Sequence, residues 1–269
     1  MIISIPTRGR VGNQITLGFL PESWTPDVHV WCPEEEIEQH KRYPYAGKVG
    51  HWHEAPLGMA ASRQAQLDWA SASRIEWLWF MDDDLKFQYR PPGIATATNF
   101  TGPRAKMMPE LKNRVLGFRA ETYRGRPIAM IGVSKRRRLT DEQCRRTEEY
   151  ATRIFGSWAV HVPTVFKEGI RLDALGPLFP LDDFYIQLSL LTKGYASVCL
   201  TDFANRAAKS NAPGGCSIYR TPQAQAEFAG LLAEAFPKFV TLRAKGSGGW
   251  DVDVRVAWKE ALNLCELES

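Results

Sequence analysis

The chain has 269 residues, 44% of them apolar and 24% charged, with a formal net charge of +4. That length suits one large domain or two small ones, and the balance excludes a wholly disordered polypeptide. The apolar runs fall far short of the ~18–20 residues of a membrane span. No charged region precedes the apolar N-terminus as a signal peptide requires, and the five scattered cysteines show no C-x-x-C spacing, so a reducing cytoplasm is the expected setting.

Apolar runs alternate with helical patterns, the mark of an α/β domain. Residues 2–6 read as a buried first strand, 27–32 as an alternating second, and 48–53 as a short third. Residues 59–71 are helical, with Met59, Ser62, Gln66 and Trp69 on one face and Gly58 just before it. The almost wholly apolar 75–81 predicts a central strand covered on both faces. Residues 90–108, rich in Pro, Gly and Thr, predict a long active-site loop. A strand is expected at 126–133, a helix at 141–154, a helix at 182–193 stopped by Gly194, and a strand at 195–200. A helix at 221–236, a flexible turn at 246–249 and a last helix at 252–264 complete the reading.

The sharpest chemical signal is Asp82-Asp83-Asp84, directly after the 75–81 run. Ligands of open α/β sheets bind beyond the carboxyl ends of strands. Three adjacent acids repel one another, and a cation relieves that repulsion; oxygen donors suit Mg²⁺ or Mn²⁺. In an extended segment Asp82 and Asp84 point to one side and Asp83 to the other. Asp84 is then the first metal ligand, Asp82 a second ligand or a ribose contact, and Asp83 free for a structural role. An acidic loop without a ligand is the plainer alternative.

With this cluster the sequence resembles the nucleotide-sugar-dependent glycosyltransferases of the GT-A fold, whose D-x-D motif follows an apolar strand and holds a divalent metal against the donor's diphosphate. Ile3-Ser4-Ile5-Pro6-Thr7-Arg8 resembles that family's first strand and nucleotide loop. Gly58-Met59-Ala60-Ala61-Ser62-Arg63-Gln64-Ala65 is similar to the helix before the D-x-D strand. Leu181-Asp182-Asp183 resembles the second acidic motif, which supplies the base in inverting members. The resemblance spans about residues 1–200. It implies a GT-A-type, Rossmann-like mixed sheet with flanking helices. Residues 1–205 would form the catalytic domain, with 206–269 as a helical C-terminal extension packed on it. It further implies a UDP-sugar donor met by Pro6, Thr7, Arg8, Arg10, Arg63, Asp82 and Asp83, a Mn²⁺ or Mg²⁺ on Asp82 and Asp84, and inverting transfer of a hexosyl or pentosyl group. No histidine follows His161 to serve as the family's late metal ligand, and Asp202 is the substitute the sequence offers.

A narrower resemblance lies in residues 181–195 followed by Asn211-Ala212-Pro213-Gly214-Gly215-Cys216-Ser217-Ile218-Tyr219-Arg220-Thr221. These are similar to phage-type glycosyltransferases associated with TET-like pyrimidine hydroxylases, relatives of the enzyme that makes base J. The implied acceptor is a hydroxymethylated pyrimidine, such as 5-hydroxymethylcytosine, in double-stranded DNA.

The residue types agree with these roles. Arginines offer bidentate contacts to phosphate, against the alternatives of a surface loop for Arg8 and Arg10 and a salt bridge for Arg63. An acceptor hydroxyl must lose a proton, and Asp183 is the expected general base. Aspartate before a helix is also an ordinary N-cap, so one of Asp182 and Asp183 is assigned to capping and the other to catalysis. Residues 104–154 hold fourteen Lys and Arg against six Asp and Glu, a local +8. Lys135, Arg136, Arg137 and Arg138, with Arg145 and Arg146, form the expected DNA footprint; a solvated surface is the alternative. Gly214 and Gly215 suit either close backbone approach to phosphate or a plain turn. His51 and His53 suit packing or surface roles rather than a metal. The competing functions are a GT-A enzyme with a saccharide, lipid or protein acceptor, a nucleotidyltransferase, and a non-catalytic nucleic-acid-binding domain.

Overall fold

Four parallel strands, β1 (Ile2–Pro6), β2 (Val28–Cys32), β3 (His51–Glu54) and β4 (Trp77–Met81), open the sheet in the spatial order β3-β2-β1-β4. The chain continues through β5 (Lys86–Tyr89), β6 (Thr98–Asn99), β7 (Thr122–Tyr123), β8 (Arg126–Ser134), β9 (Glu148–Tyr150), β10 (Ser157–His161) and β11 (Ala196–Arg206). β10 lies between β4 and β8 and is antiparallel to both; β11 is parallel to β8 and antiparallel to β5. The result is an eleven-stranded mixed sheet. The computed structural model describes residues 1–99, 107–135, 139–140, 142–207, 213–244 and 252–267.

β4 shows why an unbroken apolar run makes a central strand. All five of its residues are buried. Trp77, Trp79 and Met81 pack with Ile3, Ile5, Val28 and Val30 on one face, and Leu78 and Phe80 on the other. α1 (Ile15–Phe19) and α4 (Met107–Gly117) supply Leu17, Met108, Leu111 and Val115 to the first face. α3 (Met59–Ala72), which follows the short α2 (Glu34–His40), supplies Leu67 and Ala70 to the second, as α5 (Val162–Lys167) supplies Val162 and Val165. α6 (Asp182–Thr192) runs back toward β11, and its buried Leu188 and Leu191 meet the first core. At roughly 1.5–3 kcal/mol per fully buried large apolar side chain, these two cores hold the sheet in place.

Three expected elements differ. The helix expected at 141–154 is instead a 3₁₀ turn at Gln143–Arg145 followed by β9, which pairs with β11. The segment is polar nearly all round, so a helix there has no apolar face to bury, while the edge of β11 offers backbone partners. The last helix begins only at Trp258 as α8 (Trp258–Leu267). Residues 252–256 are instead β13 (Val252–Val256), hairpin partner of β12 (Val240–Ala244), which follows α7 (Pro222–Ala235). Their alternation, V-D-V-R-V, is strand period. In the expected active-site loop, Arg90 is 2% exposed and donates to the Ala95 carbonyl at 3.2 Å and to the Thr201 carbonyl, while β6 pairs with β5. The described part of that loop therefore packs on β5 and β11. The expected turn at 246–249 lies outside the described residues. No described helix is long and apolar enough to cross a membrane.

Candidate active site

From β1 the chain passes to β2 on one side, while β4 lies on the other. Such a switch point leaves a crevice beyond the strand ends, and a cavity of about 840 Å³ occupies it. β1 and its following loop contribute Pro6, Thr7, Arg8 and Arg10 to the wall; the start of α3 contributes Met59, Ser62 and Arg63. The turn after β4 contributes Asp82, Asp83 and Asp84, and the start of α6 contributes Asp183 and Phe184. Gly214, Gly215 and Tyr219 close one side.

The acidic segment turns rather than running extended, so all three carboxylates line one cavity. The start of α1 pins that turn. The Thr16 hydroxyl donates to the Asp82 carbonyl at 2.5 Å and accepts from the Leu85 amide at 2.9 Å, and the Thr16 amide donates to the Asp83 carbonyl at 3.0 Å. The expected alternation fails for this reason: Asp83 and Asp84 share the Arg10 guanidinium, the latter at 3.0 Å, while Asp82 pairs with Arg63. Asp83 also accepts from the Thr7 hydroxyl at 2.5 Å. Burial outweighs the pull of these arginines and pushes the carboxyl groups up, Asp82 to about 7 and Asp83 to about 6.

Arg63 is 4% exposed and bridges two motifs far apart in sequence. Its Nη2 donates to Asp82 Oδ1 at 2.5 Å and its Nη1 to Asp182 Oδ2 at 2.7 Å. The salt-bridge alternative for Arg63 is thus realised, although its side chain also lines the cavity. Asp182 is fully buried on that arginine and outside the cavity lining. Leu181 is the N-cap of α6, with no side-chain cap, so the expected division of the pair into cap and catalyst is corrected: Asp182 is an ion-pair partner. Asp183 stays on the wall, its Oδ1 accepting from the Phe184 amide at 2.9 Å. Burial first, and then the charge of Asp182, push its carboxyl up to about 6 against the opposing charge of Arg153.

Among the described residues no three His, Cys, Asp or Glu side chains group to hold a metal. The acid turn still fits one kind of cation. Asp82 and Asp84 engage an arginine through one oxygen each, leaving one carboxylate oxygen apiece. Mg²⁺-like ions are commonly held by one or two carboxylates and complete their shell with substrate phosphate and water. Asp202 does not join them: it pairs with Arg114 at 3.0 Å, away from the cavity.

The glycine loop packs on the loop after β1. The Gly215 amide donates to the Arg8 carbonyl at 2.7 Å. Gly214 sits at φ +90, where a Cβ would stand 2.7 Å from Arg10 Cγ and 3.0 Å from the Arg8 carbonyl oxygen. Tyr219 accepts from the Met59 amide at 2.9 Å.

The expected basic footprint is divided. Lys135 lines this cavity, its Nζ 4.2 Å from the centre of the Phe155 ring. Arg145 and Arg146 line a second cavity, of about 730 Å³, with the stacked Tyr123 and Tyr150. Arg136, Arg137 and Arg138 lie outside the described residues. His51 and His53 pack with His29 and Trp69, the alternative to a metal. Arg153, Phe155, Asn205, Arg206 and Arg220 also line the main cavity and were not anticipated. Arg153 falls at the end of the misread 141–154 segment, and Phe155 and Asn205 reach the site only through the pairing of β10 and β11 with the two sides of β8. A charge count alone singled out the region of Arg153.

No family model matches the chain, and no curated protein matches it in sequence. Among solved structures it is similar to TarS 1-349 of S. aureus in complex with UDP, at 13% identity and a TM-score of 0.51 over 87% of this chain. The chain spans 65% of that protein's length. Weaker likenesses are to GalNAc-T7 with UDP, GalNAc and Mn²⁺ (12% identity, TM-score 0.44, 88% of this chain and 52% of that one). Another is CMP:2-keto-3-deoxy-manno-octonic acid synthetase complexed with CTP (12%, 0.42, 87% and 99%). The fold is thus a mixed α/β sheet flanked by helices, similar to that of TarS, in agreement with the expected class.

Proposed function

We propose that this chain transfers a sugar from a nucleoside-diphosphate sugar, a UDP-sugar in the first instance, to an acceptor hydroxyl. The observation that carries this reading is the convergence, at the β1/β4 switch point, of an arginine-bearing loop, an acid turn and the carboxylate of Asp183 at the start of α6. In this reading Arg8 and Arg10, which line the cavity, meet the diphosphate, and Pro6 and Thr7 form the wall beneath the nucleotide. Bound at Asp82 and Asp84, Mn²⁺ or Mg²⁺ would supply Lewis-acid neutralisation of the departing diphosphate.

Asp183 takes the acceptor's proton as its oxygen bonds to the anomeric carbon and the bond from that carbon to the phosphate oxygen breaks, with inversion. Arg63 holds the acid turn and the start of α6 at a fixed spacing, which orients donor and base toward each other. The acceptor in this reading is a hydroxymethylated pyrimidine of double-stranded DNA. Its nucleotide would be flipped out at a cost of a few kcal/mol. The +8 stretch and Lys135 on the cavity wall support it.

Mass spectrometry of DNA containing 5-hydroxymethylcytosine, incubated with a panel of sugar nucleotides and Mn²⁺, tests the whole reading. A hexose or pentose adduct, lost in Asp183→Asn, is expected. Hydroxymethylated DNA left untouched by every donor removes the DNA acceptor, and failure of UDP to bind removes the donor.

A further inference from the structure

The loop after β1 that carries Arg8 and Arg10 is held from behind. Arg8 and Arg10 line the cavity, whereas Gly9 and Gly12 lie outside its lining. A loop with two glycines has many conformations to lose, so what fixes it decides how readily its arginines meet a ligand. Each glycine amide is tied to an element on the far side of the loop. The Gly9 amide donates to both carboxylate oxygens of Glu36, in α2, at 2.9 and 3.0 Å. The Gly12 amide donates to the hydroxyl of Tyr45, in the 3₁₀ turn Pro44–Lys48, at 3.0 Å.

His40, the last residue of α2, stands between these two anchors. Its Nδ1 lies 2.8 Å from the Tyr45 hydroxyl and its Nε2 3.6 Å from Glu36 Oε2. The partners decide where the protons go. With the Gly12 amide on its oxygen, the Tyr45 hydroxyl has its own proton to give, and His40 Nδ1 accepts it. The ring proton is then on Nε2, where the nearby Glu36 carboxylate favours an N–H over a lone pair. His40 is fully buried, and its ring stacks on Trp52 of β3 at 5.4 Å. Burial, against the charge of Glu36, holds the imidazole below the ordinary histidine value, which keeps the ring neutral at pH 7. One buried ring thus fixes both anchors of the arginine loop.

We propose that Glu36, His40 and Tyr45 are positioning residues for the donor: through the Gly9 and Gly12 amides they hold Arg8 and Arg10 in the geometry that meets the diphosphate. This rests on the sugar-transfer reading and adds the residues that preorganise its phosphate contacts. None of the three lines the cavity, so their effect reaches a ligand through the loop. A loop already fixed loses less free energy to ordering when the ligand arrives.

The test measures UDP affinity by calorimetry and the exchange of the Gly9 and Gly12 amides by NMR, in the intact chain. Glu36→Ala and Glu36→Gln both remove the charge, but glutamine keeps an acceptor for Gly9, so the ratio between them reads the hydrogen bond. Glu36→Ala is expected to bind UDP roughly three- to tenfold more weakly than Glu36→Gln, and Tyr45→Phe more weakly than the parent by a similar factor. Each should speed exchange of the amide it held. His40→Phe keeps the ring packing on Trp52 and should speed both. Combining Glu36→Ala with Arg8→Gln tests the route: a loss smaller than the product of the two single losses is expected if the anchor works through the arginine, and independent losses overturn that route. A parent that binds UDP, with Glu36→Ala matching Glu36→Gln and Tyr45→Phe matching the parent, overturns the positioning role alone. A parent that does not bind UDP overturns the donor reading and this role with it.

Discussion

At the scale of single residues, Arg63 and Asp183 divide structure from chemistry. Arg63 lies between Asp82 and Asp182 with almost no exposure. Its removal leaves two buried carboxylates unpaired, a change that typically costs 3–5 kcal/mol. Arg63→Met is therefore expected to lower the unfolding free energy in urea by about that amount, and Asp182→Asn to lower it less, because one carboxylate goes with it. Asp183 is expected to behave oppositely. Asp183→Asn should keep the folded stability and UDP affinity while losing transfer by ~10²–10⁴-fold, the usual worth of a general base. A base must be ionised to accept a proton. With the carboxyl of Asp183 held at about 6, the transfer rate should fall below that pH and level off above it. A rate independent of pH between 5 and 8, or a loss of stability matching that of Arg63→Met, would remove Asp183 from the chemistry.

At the scale of elements, the sheet edge and the start of α3 make separate predictions. On β2 and β3, His29 Nδ1 lies 2.8 Å from His53 Nε2, and the His29 ring stacks on His51. Burial and the two neighbouring imidazoles push His29 down to about 4. For a histidine whose folded value is depressed, the unfolded chain binds more protons between the two values. Its stability contribution is then complete above about 6.5 and is lost as pH falls toward 4. The loss reaches roughly 3 kcal/mol. Thermal unfolding from pH 7 to 4.5 should show His29→Phe losing less stability than the parent. Gly58, at the N-cap of α3, has φ +107, and a Cβ there collides with the Pro177 carbonyl. Gly58→Ala should destabilise by at least ~2 kcal/mol and weaken UDP binding, because the Ala61 amide hydrogen-bonds that same carbonyl. Unchanged calorimetric values for both properties would show that the turn adapts.

At the scale of the whole molecule, donor binding should appear as stability. A ligand at a hundred times its Kd raises the unfolding free energy by about 2.7 kcal/mol, so UDP with Mn²⁺ should raise the melting temperature measurably, and EDTA should reduce that rise if Asp82 and Asp84 take up the ion. The first four strands, α3, α6 and α7 were legible in the chain because each buries a face whose period is local: WLWFM alone is enough to place β4. The acid turn and the arginines around it were legible as residue types for the same reason. The direction each carboxylate takes was not, because Thr16 and Arg10 bend the turn from across the sheet end. β10 was missed, yet it joins the two halves of the sheet, and β9 was mistaken for a helix; their backbone partners lie in β4, β8 and β11, tens of residues away in sequence. Local periodicity determined which segments would be buried. Long-range pairing alone decided that Arg63 joins Asp82 to Asp182, and that Phe155, Arg153 and Asn205 line the same cavity as the acid turn, because such contacts depend on strand order, which a linear pattern does not encode.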